Sequence, residues 1–220
     1  MATARATRRP PRTRLMLGVL VADVLARQHQ RALRNRAGAI KSRDPERVHD
    51  MRVAIRRARL ALKLCPACAP GDQWRALRKE LAWLGGILGT VRDYDVSTAA
   101  LAALCRAARF PAEESARILD ELNTQRATHV AALGALLNAP RAAAALGGIS
   151  RAAATARACR TPAAREPAAA FCASAALSTL KDLLAWQDED ITQLFAAHLH
   201  KLRIACKRLR YVCEFARPVF

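Results

Sequence analysis

The chain has 220 residues, 52% of them hydrophobic, and its 37 Lys plus Arg against 18 Asp plus Glu give a formal net charge of +19. That apolar content excludes a disordered polyelectrolyte and suffices for one large or two small domains with a core. A folded chain that tolerates so much self-repulsion points to an anionic partner, and nucleic acid, anionic membrane and polyphosphate are the classes to separate.

Residues 1–14 are basic, contain Pro10 and Pro11 and lack apolar periodicity, which predicts a disordered basic arm ahead of a domain spanning 15–220. The run Leu15–Ala22 imitates a signal peptide, but it is short and Asp23 interrupts it, so it reads as the start of the first core helix. No stretch of about 20 apolar residues exists, and no membrane partner is expected. Strong helix formers dominate the rest of the chain, without strand alternation or an Asn-Gly or Asp-Gly hairpin signal.

Turn chemistry marks the breaks. Ser42-Arg43-Asp44-Pro45 ends the first helix and opens the second, with Asp44 as N-cap and Pro45 in the first helical position. Pro66 to Gly71 ends the second helix, and Asp72 is expected to cap the third. Gly85, Gly86, Gly89 and the pair Phe110-Pro111 are expected to punctuate the stretch after it. Residues 139–170 are Ala-rich with Gly147, Gly148, Pro162 and Pro167, which predicts short helices and a loop joining a first half of about 15–138 to a second of about 139–220. A last long helical pattern runs from Ala173 to Arg217, with a break near Gln187-Asp188. The expected fold class is all-α, a helical bundle of long helices and short turns.

Seven cysteines at irregular spacing argue against a disulfide framework and for a reducing, cytoplasmic setting. Cys65-Pro66-Ala67-Cys68 has no second pair to complete a zinc site and reads as a helix end stopped by Pro66. Arg92-Asp93-Tyr94-Asp95 is expected to form ion pairs, because two carboxylates without further oxygen ligands make a poor Mg²⁺ site. Neither a metal nor a cofactor is expected.

The most specific signal is an internal repeat. Val48-His49-Asp50-Met51-Arg52-Val53-Ala54-Ile55-Arg56-Arg57-Ala58-Arg59-Leu60 and Leu199-His200-Lys201-Leu202-Arg203-Ile204-Ala205-Cys206-Lys207-Arg208-Leu209-Arg210-Tyr211 share the pattern H-x-x-R-x-x-x-[RK]-R-x-R, 151 residues apart (200 − 49). At about 100° per residue, Arg52, Arg56 and Arg59 fall within roughly 80° of His49. Met51, Ala54, Ile55, Ala58 and Leu62 gather on the opposite side. In the second copy His200, Arg203, Lys207 and Arg210 form the stripe, and Leu202, Ala205, Cys206, Leu209 and Cys213 the apolar side. Arg57 and Arg208 sit at the margin. Like charges at i,i+3 and i,i+4 destabilise a helix by about 0.2–0.5 kcal/mol per pair, and no carboxylate stands in either stripe to relieve them. An anion would relieve them, and the planar fork of Arg matches phosphate oxygens. His49 and His200, each aligned with its arginines, are expected to contact the same ligand rather than to catalyse, since neither stripe offers a nucleophile or an orienting carboxylate. Arg27, Arg31 and Arg34 on the first helix, and Arg75, Arg78 and Lys79 on the third, are secondary candidates for the same basic surface.

The order of these motifs is itself diagnostic. His49 to Arg59, then Leu81-Ala82-Trp83-Leu84-Gly85-Gly86-Ile87-Leu88-Gly89-Thr90-Val91-Arg92-Asp93-Tyr94-Asp95-Val96, then His200 to Tyr211, resemble the CHAD domain, the conserved histidine α-helical domain, from about residue 15 onward. The resemblance implies two four-helix bundles related by a pseudo-two-fold, with a basic central cavity that binds inorganic polyphosphate. It places the family's His and basic positions on His49, Arg52, Arg56, Arg57 and Arg59, and on His200, Arg203, Lys207, Arg208 and Arg210. The chain departs from the family at one point. The Leu-rich block 81–96 displaced by 151 would fall at 232–247, past the last residue, so the second bundle is expected to be incomplete: either the chain is a fragment, or a second copy of it covers the exposed apolar side.

The function expected is therefore non-catalytic polyphosphate binding in the cytoplasm, with association with polyphosphate granules. Aromatic residues make up only 5% and none interleaves with the first stripe, whereas single-strand nucleic-acid binders offer stacking platforms. The alternatives are a helical nucleic-acid-binding protein and an accessory domain of a triphosphate- or polyphosphate-processing enzyme. The β-barrel strand pattern ExExK of triphosphate tunnel enzymes does not occur here, and no enzymatic activity is expected of this chain.

Overall fold

A computed structural model describes residues 15–41, 44–186 and 195–220. Among them the chain is all-α: α1 (Leu17–Lys41), α2 (Pro45–Leu64), a 3₁₀ turn (Pro66–Cys68), α3 (Asp72–Ala107), α4 (Ala112–Asn138), α5 (Pro140–Ala158), α6 (Pro162–Arg165), α7 (Ala168–Leu184) and α8 (Ala196–Ala216). The expected arm at 1–14, the first half of the turn at Ser42-Arg43, and the break near Gln187-Asp188 lie outside the described residues.

The α2 start follows its sequence signal. The Asp44 carboxylate accepts the Glu46 backbone N–H at 2.9 Å, and Pro45 is the first helical residue. At its other end Pro66 turns the chain into the short 3₁₀ link, where Cys65 and Cys68 are both buried. Asp72 differs from expectation. Gly71, at φ +120°, occupies the N-cap position, where any Cβ would run into the Gln73 side chain. Asp72 is thus inside the first turn, where its carboxylate meets Arg75 at 3.3 Å instead of capping the helix.

Helix α3 also differs: it runs 36 residues straight through Gly85, Gly86 and Gly89. A glycine inside a helix costs about 1 kcal/mol. That cost is outweighed because Leu77, Leu81, Leu84, Leu88 and Val91 form a continuous buried stripe on the same helix. Phe110-Pro111 does end it, with Arg109 at φ 51° and α4 beginning at Ala112. Residues 140–158 form one helix rather than several short ones. Gly147 and Gly148 lie within it because Gly148 passes tightly against Leu77, so that a Cβ there would come within 2.6 Å of the leucine Cδ1.

Two compact units divide the chain. One comprises Val21–Ala156, and the other residues 15–20 with Arg157–Phe220. In the first, α2 packs on α3 and α3 on α4. The short 3₁₀ link makes α2 and α3 antiparallel, so Glu46 at the start of α2 reaches Arg92 well along α3 at 3.3 Å. α1 is tied in by Arg31 to Asp50 of α2 and by Arg36, whose guanidinium donates to the Leu137 carbonyl at the C-terminus of α4 at 2.9 and 3.2 Å. At about 1.5 Å per residue α3 is about 54 Å long and α2 about 30 Å, so the far part of the α3–α4 hairpin extends past α2. Val96, Leu104, Phe110 and Ile118 are exposed there.

In the second unit α7 packs on α8, with Ala168, Cys172, Val212, Phe215, Ala216 and Val219 buried. Its N-terminal strip is held by two backbone bonds, Leu17 N–H to the Glu166 carbonyl at 2.9 Å and Ala168 N–H to the Leu15 carbonyl at 2.7 Å. Leu177, Leu180 and Leu184 of α7 remain exposed. No single helix among the described residues is long and apolar enough to cross a membrane.

Candidate functional site

The α2 stripe is built as its periodicity requires. Met51, Ala54, Ile55, Ala58 and Leu62 are all buried and anchor the helix. On the other side His49, Arg52, Arg56 and Arg57 are half-buried and Arg59 is exposed. Beneath Arg52 lies Gly89 of α3, where a Cβ would sit 3.4 Å from the arginine Nε. With no side chain on Gly89 at this crossing, the Arg52 guanidinium lies close to the α3 backbone.

Several carboxylates of this unit are engaged away from the stripe. Asp50 accepts Arg31 Nη2 at 2.8 Å, and Glu46 pairs with Arg92 at 3.3 Å. Glu80 receives two bonds from Arg141 of α5, at 2.7 and 3.1 Å, which hold its carboxyl below the ordinary range; the same guanidinium stacks 3.9 Å over the Trp83 ring. Asp95 accepts Arg126 Nε at 2.6 Å, so the Arg92–Asp95 segment forms the expected ion pairs. Among the described residues no group of three or more His, Cys, Asp or Glu gathers as a metal site.

The repeat as aligned ends at Arg59 and leaves out Lys63. Fourteen residues past His49, Lys63 falls at about −40° on the same projection, inside the stripe. The continuing three-four spacing was the signal that could have found it. Arg59 and Lys63 then meet Arg75, Arg78 and Lys79 of α3 around a cleft of about 290 Å³ whose remaining lining residue is Ala82. Three of the secondary candidates are thus brought to the end of the stripe. Of those on α1, Arg31 is engaged by Asp50, while Arg27 and Arg34 are exposed.

The α8 stripe lies in the other unit. His200, Arg203, Arg208 and Arg210 are exposed and Lys207 is half-buried. Its apolar side is not covered as in α2: Leu202, Ala205 and Leu209 are half-buried, and Cys206 and Cys213 are exposed. One turn past the repeat, the stripe also acquires a carboxylate. Glu214 stands where Lys63 stands in the first copy (63 + 151 = 214) and approaches Arg210 at 3.8 Å. In sequence, the run of stripe positions without a carboxylate therefore continues to Lys63 in α2 but ends at Glu214 in α8. The Arg210 guanidinium also lies 5.0 Å from the Tyr211 ring centroid.

Known proteins share this architecture. The chain is similar to the crystal structure of the CHAD domain from the plant Ricinus communis, at 30% identity and a TM-score of 0.75 over 99% of this chain and 71% of that one. It is similar in fold to PptA from Streptomyces chartreusis, at 22% identity and a TM-score of 0.66 over 91% and 75% of the two chains. No curated protein sequence matches it. The CHAD domain model matches residues 23–220, which include both basic repeats and the Leu-rich block between them, and on these grounds the chain belongs to the CHAD domain family.

Proposed function

We propose that this protein binds inorganic polyphosphate without transforming it, through His49, Arg52, Arg56, Arg57 and Arg59 on α2 and His200, Arg203, Lys207, Arg208 and Arg210 on α8. The observation that carries the reading is the α2 stripe itself. Cations repeat at every turn from Arg52 to Lys63, on a helix whose other side is fully buried, while Asp50, Glu46 and Glu80 are engaged elsewhere. A solvated helix face intersperses acidic residues, whereas a face that receives a linear polyanion does not need them. Membership of the CHAD family supports the ligand class. The reading places the protein in the cytoplasm, at polyphosphate granules. A second copy of the chain is the proposed cover for the exposed leucines of α7 and the uncovered side of α8, and a strictly monomeric species in sedimentation at high concentration would sink that part.

Filter binding with long-chain polyphosphate, duplex DNA and heparin across a salt series tests the main claim. Phosphate-only recognition should fall steeply with salt, with polyphosphate bound in preference to DNA at equal phosphate concentration. Displacement of polyphosphate by duplex DNA at moderate salt would favour the second reading, a helical nucleic-acid binder. The feature that supports this alternative is Tyr211, an aromatic ring beside the α8 stripe on which a base could stack.

A further inference from the structure

The two repeats end differently. In α8 the position one turn past the motif is Glu214, which approaches Arg210. In α2 it is Lys63, and there the cationic surface continues onto a second helix. The antiparallel turn through the 3₁₀ link brings the first turns of α3 beside the last turn of α2, so Arg75, Arg78 and Lys79 share one cleft with Arg59 and Lys63. No carboxylate lines it. Asp72 contacts Arg75, but its side chain is 91% exposed and lies outside the lining. Glu80, the next residue after Lys79, is held on another side of α3 by the bidentate bond from Arg141. The cleft therefore holds five cations and Ala82, with no aromatic ring for a base and no further apolar side chain for a lipid tail.

We infer that this cleft is an extension subsite for a phosphate chain, taking the part of a polyphosphate that runs past the α2 stripe and so making affinity depend on chain length. The inference rests on the polyphosphate reading above. The span from His49 to Lys63 is fourteen residues, about 21 Å along the helix. Chains shorter than that are accommodated by the stripe alone, and longer ones also reach Arg75, Arg78 and Lys79. The α8 stripe, closed by Glu214, gives no such gain.

The test uses the full chain and polyphosphate fractions of graded length, from tripolyphosphate to long chains. Lys63→Glu installs the residue of the second repeat, and Arg75→Gln with Lys79→Gln removes the α3 contribution. Arg117→Gln, on the exposed surface of α4, controls for general loss of charge. For Arg75→Gln with Lys79→Gln the expected result is unchanged affinity for the short fractions, a loss of about tenfold for long chains, and a salt slope lower by about 0.7 for each charge removed, while Lys63→Glu, at the end of the stripe, should lose more for long chains than for short ones. Glu214→Lys should strengthen binding of long chains. Three results would overturn the inference: cleft variants that bind long chains as the wild type does, variants that lose short and long chains equally, or a control that loses as much as they do. A wild type that binds no polyphosphate at any length would instead overturn the functional reading on which it rests.

Discussion

Replacing Arg52 and Arg59 together by Ala should move stability and affinity in opposite directions. On α2 this removes three like-charge pairs, Arg52–Arg56, Arg56–Arg59 and Arg59–Lys63, at spacings of four, three and four residues. At about 0.2–0.5 kcal/mol each, helix stability should rise by about 0.6–1.5 kcal/mol, less whatever the Arg52 stem contributes by lying over Gly89. For a chain of this size that is a gain of about 1–6 °C in Tm. Binding should weaken in a way that salt reveals. Without these two phosphate partners the slope of log K against log salt should be lower by about 1.4, so the ratio of wild-type to variant affinity should shrink about sevenfold between 50 and 200 mM salt. Calorimetric melts and a salt-series titration with polyphosphate measure the two effects on the same preparations. A lower Tm together with an unchanged salt slope would mean that these arginines hold the fold and do not meet the ligand, and would refute the reasoning.

Gly86→Ala should raise stability by about 0.5–1 kcal/mol, because nothing lies within 4 Å of the added Cβ, whereas Gly148→Ala should lower it by displacing buried Leu77; urea midpoints of the same sign would contradict the packing described. Burial holds the His29 imidazole below its ordinary value of 6.5, so the unfolded chain binds more protons near that pH and this site's contribution weakens as pH falls through about 6.5. The difference in urea midpoint between wild type and His29→Gln should therefore change between pH 7.5 and pH 5, and a constant difference would rule the effect out. Cys206 and Cys213 are exposed, while Cys65, Cys68 and Cys172 are buried and burial pushes the Cys172 thiol up to about 11. Ellman titration of native protein should label Cys206 and Cys213 quickly and the three buried thiols only after denaturation.

Much of the fold was legible because periodicity and turn chemistry agreed. Asp44-Pro45, Pro66 and Phe110-Pro111 fell at real boundaries, and the apolar set Met51, Ala54, Ile55, Ala58 and Leu62 proved wholly buried. Gly89 misled because what it faces is tertiary: its missing Cβ leaves room for Arg52 on another helix, and no local rule reads that. Asp72 misled for a local reason, since Gly71 could adopt a positive φ and take the cap position itself. The two-sided build of α2 was legible from spacing alone, whereas in α8 the expected apolar side is half-buried at Leu202, Ala205 and Leu209 and exposed at Cys206 and Cys213. Lys63 was missed because the repeat is defined by where the two copies agree, and the difference in charge begins where they stop agreeing, at Lys63 and Glu214.

The unequal lengths of α2 and α3 carry a consequence for how the molecule opens. Amides of α3 near Leu81, Leu84 and Leu88 lie over a packed core, and their exchange with solvent should require cooperative unfolding of the whole unit. Past Ala102 the hairpin carries the exposed Leu104, Phe110 and Ile118, and hydrogen exchange there should proceed by local opening at a much smaller free energy. Trypsin should accordingly find Arg106, Arg109 and Arg117 at the hairpin end before any arginine of α2. The basic surface would then sit on the slowest-breathing part of the unit and keep its geometry while the distant end frays.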